Sequence, residues 1–303
     1  MNGQIPDSGQ LDLFLHSSGV VLANDVIAAL RARNAVRAAE CLARLHATEP
    51  GHRARKALET LCQTLVEWPF PSTNPAEIAA AIQRLEADVH PAALDAMGDS
   101  AAQFMLPLWR DLAQAASLHV YDAAFPQSYS AALYLRCGDA EAAATAAQAV
   151  ARHDDNVDAL VWLALARYRI DGLAGCRIPL MRLALLGPEH LTKAISEIDD
   201  PLLNREWHAF NLACHWLDPE NQTVGAWFPA WHLVVHPGIE IDCGGSTTLP
   251  ATRATQTFVA IAHLLELEKH GYSTALLSAR GRLRDLDPDM FAFYMARRDV
   301  GHR

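Results

Sequence analysis

The chain returns four times to one local pattern: a turn, a single helix, and a stop. The four stretches are "RNAVRAAECLARLHATEP" (Arg33–Pro50), "GDAEAAATAAQAVARHDD" (Gly138–Asp155), "DGLAGCRIPLMRLALLGP" (Asp171–Pro188) and "GYSTALLSARGRLRDLDP" (Gly271–Pro288). Each spans 18 residues, opens on a turn-prone residue within its first two positions and ends at Pro or Asp. Such punctuation confines the helix, because Gly and Asp favour turns and Pro cannot continue a helix. In the first three windows the sixth position is small: Ala38, Ala143 and Cys176. Apolar residues follow four and seven positions on, at Leu42 and Leu45, Ala147 and Val150, and Leu180 and Leu183. That spacing places them on one helix face, ready to pack against a partner helix. The fourth window has Leu276 and Arg280 at the first two of these positions, with Ala275 and Ala279 one residue early. Pro179, inside the third window, predicts a kink or a late start for that helix.

Apolar residues recur at three- and four-residue intervals in most other segments, among them "KALETLCQTLVEW", "AAQFMLPLWRDLAQAASL" and "FVAIAHLLELEK". This is the amphipathic helix signature. Only "HLVVH" and "GIEID" read as possible short strands, so the fold class is all-α. The segment "NPAEIAAAIQRLEADVHP" (Asn74–Pro91) has a good helix start, Asn then Pro, and an apolar stripe at Ile78, Ile82, Leu85 and Val89 that is one residue out of phase with the four windows.

The windows resemble the second helix of the tetratricopeptide repeat. Partner first helices are found in "NDVIAALRA", "SYSAALYLR" and "ALVWLALARYR", and Asp155 and Pro188 lie 33 residues apart, close to the family period. The resemblance implies an array of antiparallel helix pairs wound into a right-handed α-α superhelix. Residues 1–217 are expected to form this array, 218–250 an irregular aromatic- and His-rich insertion, and 251–303 a C-terminal hairpin that continues it. It also implies a scaffold or adaptor that binds a peptide or helix of a partner protein, with Tyr134, Trp162 and Tyr168 on first-helix segments either facing a groove or packing between helices.

Other classes are disfavoured. The formal charge is −10, which gives no whole-chain footprint for nucleic acid, and "ARGRLRD" (Ala279–Asp285) is the one local basic cluster that stands out. No run of 18 apolar residues occurs, so no membrane span is expected, and the opening "MNGQIPDSGQLDLFLHSSG" lacks the basic and apolar regions of a signal peptide. Six scattered cysteines without a C-x-x-C read as buried free thiols, and the protein is expected in the cytoplasm.

Chemistry concentrates in Glu206–Asp242, which holds four of the 14 histidines and four of the seven tryptophans. The candidate binding residues are Trp207, His208, His215, Trp227, Phe228, Trp231, His232 and His236. His208 and His215 are two helical turns apart, too far to share one ion without a ligand between them. In "HLVVH", His232 and His236 could share a zinc if helical, but Val234, Val235 and the following Pro237 favour a strand, which would hold them about 13 Å apart. Asp218, Glu220, Glu240 and Asp242 are possible carboxylate donors. Leu233 stands where the H-E-x-x-H motif has its Glu, and no nucleophile or phosphate-loop motif occurs. "DCGGSTTLPATR" reads as a loop ending in a Thr helix cap, with an anion site near Arg253 as the alternative. The expectation is therefore a packing or binding element with no catalytic residue, cofactor or metal. An enzyme or small-molecule-binding protein built on 206–242 is the alternative.

Overall fold

A computed structural model describes residues 18–68, 74–214, 224–238 and 249–300. Among these every regular element is helical, in agreement with the all-α reading. No described helix is long and apolar enough to cross a membrane. The chain divides into two compact units, Met1–Cys137 and Gly138–Arg303.

The first unit contains α1 (Ser18–Arg31), α2 (Ala35–Thr48), α3 (Arg55–Glu67), α4 (Pro75–Arg84), α5 (His90–Met97), α6 (Ala101–Ala116) and α7 (Ser130–Cys137). Helices α1 and α2 form the first hairpin. Asn34 caps α2 by accepting a hydrogen bond from the Arg37 N–H, and a methyl group on Gly19 at the start of α1 would collide with the Glu49 carboxylate at the end of α2. The two helices are therefore antiparallel. Helix α3 packs on α2, α5 on α3, α6 on α5 and α7 on α6. Their apolar stripes merge in one core that includes Leu30, Leu45, Leu61, Ile82, Phe104 and Leu108.

The stripe Ile78, Ile82, Leu85 and Val89 is buried as its spacing requires. The helix does not stop at Pro91, however. A π-turn at Leu85–Val89 joins α4 to α5, and the chain breaks only at Gly98, whose φ is +53°. Pro91 removes one N–H from the helical ladder, and the wider turn just before it is a known way to absorb such a defect.

The second unit holds α8 (Ala140–Gln148), α9 (Val157–Leu186), α10 (Pro188–Ile198), α11 (Pro201–Ala213), α12 (Phe228–Val235), α13 (Arg253–Lys269), α14 (Thr274–Leu286) and α15 (Pro288–Val300). Helix α9 is not one straight rod. Gly172 has φ +64° and ψ −152°, a conformation open essentially to glycine alone. The chain reverses there, since a Cβ on Gly187 would meet the Val157 side chain at 2.9 Å, and Arg182 pairs with Asp154 at 2.5 Å. A continuous helix would separate residues 157 and 187 by about 45 Å. The expected "DG" turn and hairpin are thus present, with Pro179 inside the returning arm.

The sixth and thirteenth positions are buried in all four windows: Ala38 and Leu45, Ala143 and Val150, Cys176 and Leu183, Leu276 and Leu283. The middle contact varies. It is the tenth position in two windows (Ala147, Leu180) and the ninth in the other two (Cys41, Ala279). "SYSAALYLR" ends in α7 of the first unit, which packs on α6, and α8 of the second unit packs on α9.

The helices on either side of residue 218 belong to the same unit. One further expectation changes. Within the expected irregular insertion, Val224–Trp227 forms a 3-10 turn that runs into α12, so "HLVVH" is helical and not a strand. Helix α12 buries seven successive residues, Phe228 to Val234, among α9, α11, α13 and α15. Burial on every side overrides the modest strand preference of two valines, and no neighbouring strand is available to pair with them among the described residues. The "GIEID" reading falls largely on residues 239–242, outside the described residues.

Candidate functional site

Two helices build the site. Asp200 caps α11 by accepting hydrogen bonds from the Leu202 and Leu203 N–H groups, and Tyr168 donates its hydroxyl to the same carboxylate. The Leu203 N–H, the Tyr168 hydroxyl and the Leu202 N–H, in falling order, hold that carboxyl below its ordinary range. Pro201 occupies the first turn, where a missing N–H costs nothing. From this start, Leu203 and Phe210 turn into the core. Glu206 lies between them, three residues after one and four before the other, and so on the same inward face.

Helix α12 begins at Phe228 with Pro229 in its first turn and ends at His236, whose N–H donates to the His232 carbonyl at 2.8 Å. One turn separates His232 from His236, and their ring centroids are 4.7 Å apart. Both imidazoles meet Glu206. His232 Nδ1 is 3.5 Å from one carboxylate oxygen, and His236 Nε2 is 3.5 Å from the other. Each of the three residues offers a ligand atom within 4.8 Å of the other two.

An aromatic cluster fixes this geometry. Phe228 packs against Trp207, Phe210 and Trp231 at centroid distances of 5.4–5.8 Å, and against the His232 ring at 5.8 Å. Trp227, Phe228 and Trp231 are buried and brace the site, with Phe228 on the wall of a small cavity that Glu206 also lines. Trp207 is half-buried against Phe210, at 5.2 Å.

The candidate residues therefore separate. His232 and His236 converge, whereas His208 is exposed elsewhere on α11. His215 lies outside the described residues, as do Asp218, Glu220, Glu240 and Asp242. Glu206 is the member that sequence reasoning missed. Its signal was its place on the inward stripe Leu203–Glu206–Phe210, where a carboxylate needs a partner.

His232 is fully buried. Burial, the neighbouring His236 and the Arg177 guanidinium together push its pKa down to about 3. It is thus neutral near pH 7, with a lone pair on one ring nitrogen and a proton on the other. Neither nitrogen has a hydrogen-bond partner among the described residues. A buried polar group left in this state costs about 1–3 kcal/mol.

The other sequence candidates resolve simply. Residues 244–248 of "DCGGSTTLPATR" lie outside the described residues; Thr252 caps α13 by accepting from the Thr255 N–H, and Arg253 pairs with the buried Asp287 at 3.1 Å. In "ARGRLRD", Arg280 pairs with Glu268 and Arg284 with Asp285, leaving Arg282 exposed beside a surface cleft. Trp162 is buried. Cys62, Cys176 and Cys214 are free, and burial raises their thiols to about 11, 11 and 12, which removes them as nucleophiles near neutral pH. Cys243 lies outside the described residues.

No protein-family model, curated protein or solved structure matches the chain.

Proposed function

We propose that the protein is an interaction scaffold of tetratricopeptide-like helical hairpins that receives a segment of a partner protein at the α13–α14 hairpin. One observation carries this reading: a cleft of about 520 Å³ opens along that hairpin. Leu249, Pro250, Val259, Ala279 and Leu286 contribute its apolar walls. Val259 is 52% exposed, although it is a large apolar residue on an otherwise amphipathic helix.

Arg282 puts a positive charge on the edge of the cleft beside His263, both are exposed, and no carboxylate lines it among the described residues. In a chain with a formal charge of −10, this local reversal fits a partner carrying an apolar side chain next to an acidic residue. The apolar contact would supply affinity, at about 1.5–3 kcal/mol for one fully buried large side chain. The rim charge would contribute mainly orientation and encounter rate.

The test is site-specific photo-crosslinking from position 259, with position 36 on α2 as a control. The expected result is a protein crosslinked at 259 and not at 36, with the adduct lost in Arg282→Glu. Equal crosslinking at both positions, or an adduct indifferent to Arg282→Glu, would overturn the reading.

A further inference from the structure

We propose that Glu206, His232 and His236 form a binding site for a divalent transition-metal ion of the zinc class. This is independent of the cleft on α13–α14. Two imidazoles and one carboxylate are a donor set that suits zinc, usually with water in the remaining position.

The geometry is close to that of a loaded site. Zinc–nitrogen and zinc–oxygen bonds of about 2.0–2.2 Å place tetrahedral ligand atoms roughly 3.3 Å apart. Each carboxylate oxygen of Glu206 already stands 3.5 Å from an imidazole nitrogen, and the full set lies within 4.8 Å. His236, at the end of α12 and 34% exposed, is free to close the remaining gap.

The second observation concerns His232. A histidine at 0% exposure with two unpartnered ring nitrogens is an unexplained cost in a core otherwise filled by Phe228, Phe210 and Trp231. A metal bond to Nδ1 removes half of that cost. An ion would reach the site from the side of Glu206 and His236, which are both partly exposed.

The electrostatics oppose binding in one respect. Arg177 lies near enough to act on His232 and shares a small cavity with Glu206. One carboxylate therefore faces both an ion and a guanidinium, which favours moderate affinity over the tightest structural zinc sites. Leu233 occupies the position of the glutamate base in zinc proteases, so this site holds an ion without that base beside it.

The experiment uses the full chain, stripped with chelator and titrated with Zn²⁺ by calorimetry, with Mg²⁺ as the control ion. Cobalt(II) absorption reports the coordination geometry. The expected result is one Zn²⁺ per chain, no response to Mg²⁺, and a cobalt spectrum of four-coordinate type. Glu206→Gln and His236→Ala should each weaken binding by about 100-fold or more, beyond the 10- to 100-fold typical of outer-shell partners. His208→Ala should bind as the parent does. Both ligand positions are partly exposed, so these variants are expected to fold, and circular dichroism checks that they do. Absence of Zn²⁺ binding by the parent chain, or binding that survives both ligand variants, would overturn the proposal.

Discussion

Helices α2 and α12 solve opposite problems. Over 14 residues α2 buries three side chains, Ala38, Cys41 and Leu45, keeps Ala35 and Leu42 partly covered against the core, and leaves its other face to water. Over eight residues α12 buries seven. In α2 any polar residue can face solvent. In α12 His232 has no such option, so its imidazole must find a partner inside the protein. The amphipathic helix carries the architecture, and the fully buried helix brings the chemistry together.

The largest effect that would sharpen this contrast comes from Phe228→Ala. It should cost about 3–5 kcal/mol, because it removes the ring that packs on three aromatic neighbours and on His232. Val36→Ala, on the 71% exposed side of α2, should stay within about 0.5 kcal/mol. Denaturant unfolding of both variants measures the difference, and equal losses would break the comparison.

Turn glycines come next. Gly172→Ala forces a side chain into the conformation at which α9 reverses and should cost about 1–3 kcal/mol in thermal unfolding. Gly281→Ala, within α14 and with open space around it, should instead gain about 0.5–1 kcal/mol.

Asp200→Ala removes the cap of the helix that carries Glu206 and should cost about 0.5–2 kcal/mol near pH 7. The folded-state carboxyl is lowered, so its contribution is fully present above the ordinary aspartate value of 3.8 and is lost as pH falls through the lowered value. The stability gap between Asp200→Ala and the parent should therefore close only below about pH 4, as urea titrations at several pH values would reveal.

The smallest effect belongs to His232→Leu in metal-free protein. Replacing an unpartnered buried imidazole with an apolar group should be neutral or stabilising by up to about 1 kcal/mol. A clear loss of stability would mean that His232 already has a partner.

The same contrast explains what could be read from the sequence. Periodicity placed positions six, ten and thirteen on one face in the first three windows, and six and thirteen are buried in each, because a one-sided helix writes its face into its spacing. In the first window Cys41 at position nine is buried and Leu42 at position ten only partly so, which depends on how the partner helix approaches. Periodicity misread α12. A segment buried all round has no polar period, and the two valines then weigh toward a strand. "HLVVH" offers two ligand-type residues, but whether they meet depends on whether one turn or an extended chain separates them. Glu206 went unnoticed because its partners are 26 and 30 residues away in sequence, beyond the reach of any local spacing rule.

The central claim is that α12 is a buried helix that presents His232 and His236 to Glu206. Diffraction at the zinc absorption edge, from crystals grown with equimolar Zn²⁺, tests it most directly. The expected result is one anomalous peak at bonding distance from a Glu206 oxygen, His232 Nδ1 and His236 Nε2. A peak elsewhere, or an extended 232–236 segment with its two imidazoles apart, would contradict it.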